Sequence, residues 1–462
     1  MPSSSKRIGG SFRDPSGFLF RRNGVIYRQV NLGYRQDYDL FRKSGLYGKL
    51  VTDELLIPHR EVRLKAEDPQ LAYKILKPIQ LEFISYPYEW SFSQLKDAAL
   101  LTLELQKIAI AHGLSLKDAA TTNIQFHRGH PMLIDSLSFE AYQEGRPWVA
   151  YRQFCQHFLA PLALMTKRDM RLNQLLRVHI DGIPLDLASR LLPGQTRFNL
   201  GMLTHIHLHA AAQKSFAGQT VPDQSRRARV SKTAMLGLID HLERTIQGLG
   251  WKPEGTAWGD YTRETSYGPK AAAHKKQLVD RFIQKTKAKT LWDLGANAGI
   301  YSRLASKRGI FTLAADYDPG AVEMNYLEVK RKREDNILPL VIDLGNPSAS
   351  IGWANEEHQS LVSRGPADAA MALALVHHLA IANNVPLGRI AEFFSKLGSW
   401  LIIEFVPKED PQVQKLLAAR KDIFTEFHQE GFKAAFKRHY RIVAEKAIRD
   451  SARSLYLMRR RG

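Results

Sequence analysis

Residues 290–302 read T-L-W-D-L-G-A-N-A-G-I-Y-S, and their order decides the architecture of the second half of the chain. An apolar run ends in Asp293, a turn carries Gly295, Asn297 and Gly299, and a helix is predicted to begin near Tyr301. A strand that passes through a glycine-containing turn into a helix marks the carboxyl edge of an open α/β sheet, where such sheets bind ligands. Glycines let the backbone approach a ligand closely, and the helix start offers N–H groups with no partner of their own. Asn297 suits the middle of the turn because asparagine tolerates left-handed φ. The spacing is G-x-N-x-G and not the dinucleotide G-x-G-x-x-G, so a nicotinamide cofactor is the weaker reading.

Outward from this stretch, from about residue 266, short apolar runs alternate with helical segments. They are F-T-L-A-A-D (311–316), L-P-L-V-I-D (338–343), A-A-M-A-L-A-L (369–375) and W-L-I-I-E-F (400–405). Such alternation predicts a parallel sheet covered on both faces. The last two runs, Y-R-I-V-A-E-K-A-I and S-L-Y-L-M-R-R-R, are separated only by residues 449–453, which is too short for a parallel crossover and predicts an antiparallel hairpin. The fold class is therefore α/β, with a Rossmann-like seven-stranded sheet closed by a hairpin.

The first half reads differently. Residues 17–30 form two short strands around Asn-Gly, a strong hairpin signal. Residues 93–112 carry apolar positions at three and four spacings over five turns and predict a helix, with more helix at 148–178 and 198–215. Residues 213–232 turn polar around S-R-R-A-R-V-S-K, and a helix follows at 232–248. The expected division is an α+β domain at 1–215, a basic linker with a connecting helix at 216–265, and the α/β domain at 266–462.

A length of 462 residues suits two to four domains at about 100–200 residues each. Lys and Arg outnumber Asp and Glu by 66 to 46, so the net charge of +20 calls for an acidic partner: nucleic acid, a phosphorylated or anionic glycan, or a membrane surface. The single Cys155 excludes an intrachain disulfide framework and a cysteine-based zinc cluster, and it fits a reducing compartment, with the cytoplasm as the expectation. The polar N-terminus predicts no secretory leader. The apolar stretch near 158–165 is far short of the roughly 20 residues a membrane helix needs, which leaves at most peripheral membrane contact.

With its ordered strand ends, the region 266–462 resembles the class I S-adenosylmethionine-dependent methyltransferases. The resemblance implies a cofactor site made by Asp293, Gly295, Asn297, Gly299 and Tyr301, with Asp316 on the ribose hydroxyls, because a carboxylate can accept from both hydroxyls of a diol. It implies Asp343 near the adenine amino group and Val376 and His377 at the mouth of the methyl-transfer pocket. His377 or His378 would act as a base if the acceptor is a hydroxyl, whose proton must leave during transfer; paired histidines at a strand end serve as hydrogen-bonded scaffold about as often.

Residues 112–135, H-G-L-S-L-K-D-A-A-T-T-N-I-Q-F-H-R-G-H-P-M-L-I-D, hold a second constellation. Asp118 and Asn123 have the D-x-x-x-x-N spacing of a kinase catalytic loop, and a strand-like run ends in Asp135. Over residues 17–210 the chain is similar to the protein-kinase-like or aminoglycoside-phosphotransferase-like fold. That similarity implies ATP, Asp118 as the residue orienting a hydroxyl, and Asn123 and Asp135 as magnesium ligands. The departures are L-K-D in place of H-R-D, Ser136-Leu137 after Asp135 in place of Phe-Gly, no glycine-rich nucleotide loop, and Arg28 in V-I-Y-R where a lysine belongs.

The aromatic run Y-P-Y-E-W-S-F (86–92) could stack on bases or sugars, but its place between a strand and a helix favours packing between lobes. The whole-chain layout, with Y-P-Y-E-W-S-F-S-Q-L-K-D-A-A-L and P-W-V-A-Y-R-Q-F-C-Q-H-F-L-A-P-L, resembles bacterial methyltransferases related to a nodulation protein. That resemblance implies methylation of a saccharide or surface-polysaccharide acceptor. RNA methylation, favoured by the charge but without a recognisable RNA-binding module, and a pseudokinase-like scaffold on a degenerate methyltransferase are the alternatives.

Overall fold

The computed structural model describes residues 5–216, 229–253, 268–418 and 421–461, so most of the basic linker lies outside the described residues. Contacts divide the chain into two units: Met1–Trp251 with Ser350–His358, and Lys252–Ala349 with Gln359–Gly462.

The first unit opens with a five-stranded antiparallel sheet in the order Ser5–Arg7, Gly17–Arg22, Val25–Asn31, Ala72–Pro78, His59–Glu61. The hairpin turn is Asn23-Gly24, both with positive φ, so its twist matches that of the flanking strands. Helices Arg35–Lys43 and Leu46–Thr52 intervene before the last two strands. The 20-residue helix Phe92–Ala111 starts at a capping box in which Ser91 and Gln94 bond each other's backbone N–H. It leads into two small strand pairs, Leu114–Leu116 with Phe139–Ala141 and Ile124–His127 with His130–Leu133.

Helix Lys232–Gln247, expected as a connector, packs against Phe92–Ala111, and Lys107 pairs with both Asp240 (2.6 Å) and Glu243. It therefore belongs to the first unit. The Ser350–His358 segment also belongs there although it lies between two strands of the second sheet, and His358 stacks on Tyr86 with ring centroids 4.2 Å apart.

In the second unit, helix Pro269–Thr286 precedes strands β1 (Thr290–Leu294), β2 (Phe311–Asp316), β3 (Ile337–Val341), β4 (Ala367–Ala372) and β5 (Gly398–Phe405), then β6 (Tyr440–Ala447) and β7 (Ser454–Arg460). The sheet order is β3-β2-β1-β4-β5-β7-β6. The first five strands are parallel, and β7 runs antiparallel to both β5 and β6. Because β1 has β2 on one side and β4 on the other, the chain reverses its winding beside β1 and leaves a crevice at the carboxyl edge. A core of Leu291, Met371 and Ile402 from three neighbouring strands, with Val279 and Phe282 from the preceding helix, holds one face. No helix among the described residues is long and apolar enough to cross a membrane.

Candidate functional site

The carboxyl edge of the second sheet holds a cavity of about 350 Å³. Gly295 and Asn297 line it from the loop after β1, Asp316 and Tyr317 from the end of β2, and Ile342 to Gly345 from beyond β3. Leu373 to Leu375 and His378 face it from beyond β4. Its lining thus mixes two carboxylates and other polar groups with apolar side chains.

The loop after β1 takes its shape from left-handed residues: Gly295, Asn297 and Gly299 have φ of 81°, 48° and 77°. The Gly295 and Ala296 N–H groups donate to Ala315 O at 2.8 and 2.9 Å, tying the loop to β2. Asn297 N–H donates to Asp316 Oδ2 at 2.7 Å, and Asp318 N–H donates to Asp316 Oδ1 at 3.0 Å. Asp316 is therefore oriented before any ligand arrives. Burial pushes its carboxyl up to about 6, against the pull of those N–H groups.

Asp343 also lines the cavity, with Oδ1 accepting from Gly345 N–H at 2.7 Å. Four other residues expected at the cofactor stand behind it. Asp293 is buried and accepts from Ser302 Oγ at 2.6 Å, and burial pushes its carboxyl up to about 7. Gly299 sits against Asn325, where a Cβ would meet Oδ1 at 2.5 Å. Tyr301 packs on the core with the Lys275 ammonium 4.9 Å from its ring centroid, and Val376 is fully buried. These four shape the loop and strand ends without lining the cavity.

Of the two histidines, only His378 lines it. His377 is 1% exposed, with Nδ1 bonded to nothing among the described residues. Burial, then the neighbouring His378, Arg453 and Lys275, push its pKa far down. Burial also lowers that of His378, which keeps it neutral near pH 7 and able to accept a proton. Nearby runs a buried ion network: Lys275 Nζ to Glu404 Oε2 at 2.7 Å, and Arg453 to Asp410 at 2.7 and 3.0 Å.

The sequence reading missed Tyr317, Leu379, Ala382 and Asn383, all of which line the cavity. The last three follow from a wide π-helical turn, His378–Ala382, that begins six residues past the end of β4. The only advance signal was the helical spacing of His378, Leu379 and Ala382.

The kinase-like constellation closes on itself. Arg28 is buried and pairs with Asp135 Oδ1 at 2.6 Å and with Asp14 Oδ2 at 3.3 Å. Asp135 also accepts from Leu137 N–H at 2.9 Å and Ser138 Oγ at 2.7 Å, and Asn123 Nδ2 donates to the same Ser138 Oγ at 3.3 Å. Asp118 stands apart, its Oδ1 taken by Gln153 Nε2 at 2.7 Å and Ala120 N–H at 3.0 Å. Both oxygens of Asp135 are thus covered by donors, one of them a guanidinium. Among the described residues no three His, Cys, Asp or Glu side chains converge as metal ligands. Asn123 and Asp135 as arranged do not fit the magnesium expected of them.

No protein-family model matches the chain. Among solved structures it is similar to the bifunctional kinase-methyltransferase WbdD (14% identity, TM-score 0.31, 45% of this chain and 43% of that one). It is also similar to magnesium protoporphyrin IX methyltransferase ChlM from Synechocystis PCC 6803 with bound SAH (15%, 0.31, 44% and 92%). The N-methyltransferase NodS from Bradyrhizobium japonicum WM9 is a third (13%, 0.32, 42% and 97%). Among curated proteins, nodulation protein NoeA of Rhizobium meliloti (strain 1021) is 35% identical over 465 residues, covering 98% of this chain and 96% of its own. With that identity held along nearly the whole of both sequences, the chain belongs to the NoeA family.

Proposed function

We propose that this protein is an S-adenosylmethionine-dependent methyltransferase of the cytoplasm that acts on a saccharide hydroxyl. The observation that carries the reading is Asp316: a carboxylate oriented by two backbone N–H donors at the edge of a cavity at the carboxyl ends of β1 to β4. Its outward lone pairs suit the two hydroxyls of a ribose, and Ile342, Leu344 and Leu379 supply an apolar slot for a base. When bound, the cofactor supplies a methyl group on a sulfonium, electrophilic enough for in-line transfer to oxygen. His378 is placed to take the hydroxyl proton as the new carbon–oxygen bond forms, and its neutral state makes it competent to do so. A hydroxyl acceptor is favoured because a base beside the cavity serves it, whereas an already ionised acceptor needs none.

The first unit is proposed to contribute acceptor recognition. Its five-stranded sheet, helix pair, long helix and D-x-x-x-x-N loop follow a kinase-like order, but Arg28 on Asp135 argues against phosphoryl transfer.

Equilibrium binding of labelled S-adenosylmethionine to the full chain tests the cofactor. Binding to wild type and its loss in Asp316→Ala is the expected result, and no binding at high cofactor concentration overturns the reading. Incubation with separated glycan, RNA and protein fractions tests the acceptor. Label in the glycan fraction supports a saccharide, and label in RNA alone overturns that part.

A further inference from the structure

A second cavity, of about 280 Å³, lies wholly within the first unit, between the helix ending at Lys167, the segment from Asn199 and the helix Lys232–Gln247. Lys167, His241 and Arg244 line it, and no carboxylate does. Among the described residues neither Lys167 nor Arg244 has an ion-pair partner. Among the described residues the Arg244 guanidinium makes only a long contact, Nε to Asp240 O at 3.3 Å within its own helix. The two acids on that helix, Asp240 and Glu243, are both engaged by Lys107.

One further feature offsets what would repel an anion, and another adds a donor. The carboxyl end of Lys232–Gln247 would present negative carbonyls, but Lys96 Nζ donates to Gln247 O at 2.9 Å and to Leu249 O at 2.6 Å. Asn199 accepts the Met202 N–H on Oδ1 at 3.0 Å, which leaves its amide NH₂ as a donor on the cavity wall.

His241 is fixed from behind. Its Nδ1 lies 2.9 Å from Nε2 of His205, a fully buried residue whose Nδ1 is 2.8 Å from the Tyr151 hydroxyl. Only Nε2 of His241 is left for a ligand. Burial keeps His205 neutral, down to about 4; with its Nδ1 accepting from the Tyr151 hydroxyl, its Nε2–H donates to His241 Nδ1 and leaves the His241 Nε2–H as a donor toward a ligand.

We propose that this cavity binds a phosphate monoester of a small polar molecule, with the dianion held by Lys167, Arg244 and His241. Three cationic or proton-donating groups from two helices match a group with three equivalent acceptor oxygens better than a planar carboxylate. The cavity also exceeds what a bare phosphate needs and approaches the size of small-molecule sites, which leaves room for a polar body beside Leu200. This site is separate in the chain from the cofactor cavity and does not depend on the methyltransferase reading.

Calorimetric titration of the full chain with inorganic phosphate, a hexose 6-phosphate and the parent hexose tests it, at ionic strength matched with chloride. The expected result is binding of both phosphates and none of the hexose. Lys167→Gln and Arg244→Gln, both at exposed positions, should each weaken binding about tenfold, the size of one lost charged hydrogen bond. Asp316→Ala should bind the phosphates as wild type does. Wild-type affinity in both glutamine variants, equal heat from chloride, or loss in Asp316→Ala overturns the proposal. Melting curves of each variant show whether a loss is one of binding or of folding.

Discussion

Asp293 and Asp316 end neighbouring parallel strands, and both are buried more deeply than a carboxylate tolerates in isolation. Burial is the largest cause of both raised values, about 7 and about 6 against an ordinary 3.8. A carboxyl whose pKa is higher folded than unfolded binds more protons in the folded state between the two values. Its contribution to stability is therefore present at low pH and is lost as pH rises from about 4 to the folded value. Asp293→Asn removes that dependence while leaving an oxygen to accept from Ser302. The stability of wild type relative to Asp293→Asn should rise as pH falls from 7.5 to 5, on the order of 1–3 kcal/mol at about 1.4 kcal/mol per pKa unit. Denaturant melts of both proteins at the two pH values check it, and a difference that does not change with pH would contradict it. The sequence shows Asp293 and Asp316 as strand-end acids, but not that one faces a cavity and the other a serine. That distinction depends on where the following helix places Ser302.

At the scale of elements, the glycine-containing loop was legible because its chemistry is local. Left-handed φ at 295, 297 and 299 is what Gly and Asn supply, and five residues suffice to state it. Gly299→Ala should destabilise the second unit, about 1–2 kcal/mol from the left-handed backbone alone. The clash of its Cβ with buried Asn325 at 2.5 Å adds to that cost. A lower melting temperature together with weaker S-adenosylmethionine binding is the expected outcome; wild-type values in both would show that the loop adapts. The hairpin at Asn23-Gly24 was legible for the same reason. The choice between His377 and His378 was not. After Ala372 the chain leaves the strand, passes through Ala374, which has positive φ, and enters a wide helical turn. The alternation of a strand cannot be extrapolated across that change of period, so two adjacent histidines with the same local sequence end in different places.

At the scale of the whole molecule, pairs distant in sequence set what each unit can do. Arg28 reaches Asp135 from a strand more than a hundred residues earlier, and that pair covers the oxygen a magnesium ion would need. Magnesium-ATP should leave the melting of the full chain unchanged, while S-adenosylmethionine should raise it, since only a ligand of the folded state stabilises it. A rise with magnesium-ATP that Asp135→Ala abolishes would show that the pair opens to a metal.

Motif order, strand ends and turn residues were written in short stretches, so the succession of strands around T-L-W-D-L-G-A-N-A-G and the place of a ligand beyond their ends came from the sequence by itself. Tertiary structure alone decided that helix Lys232–Gln247 and residues Ser350–His358 join the first unit, that Arg28 closes on Asp135, and that Lys167 and Arg244 share one cavity. The physical reason is range. Periodicity and φ preferences act within a few residues, whereas burial and ion pairing depend on which distant segments the packed core brings side by side.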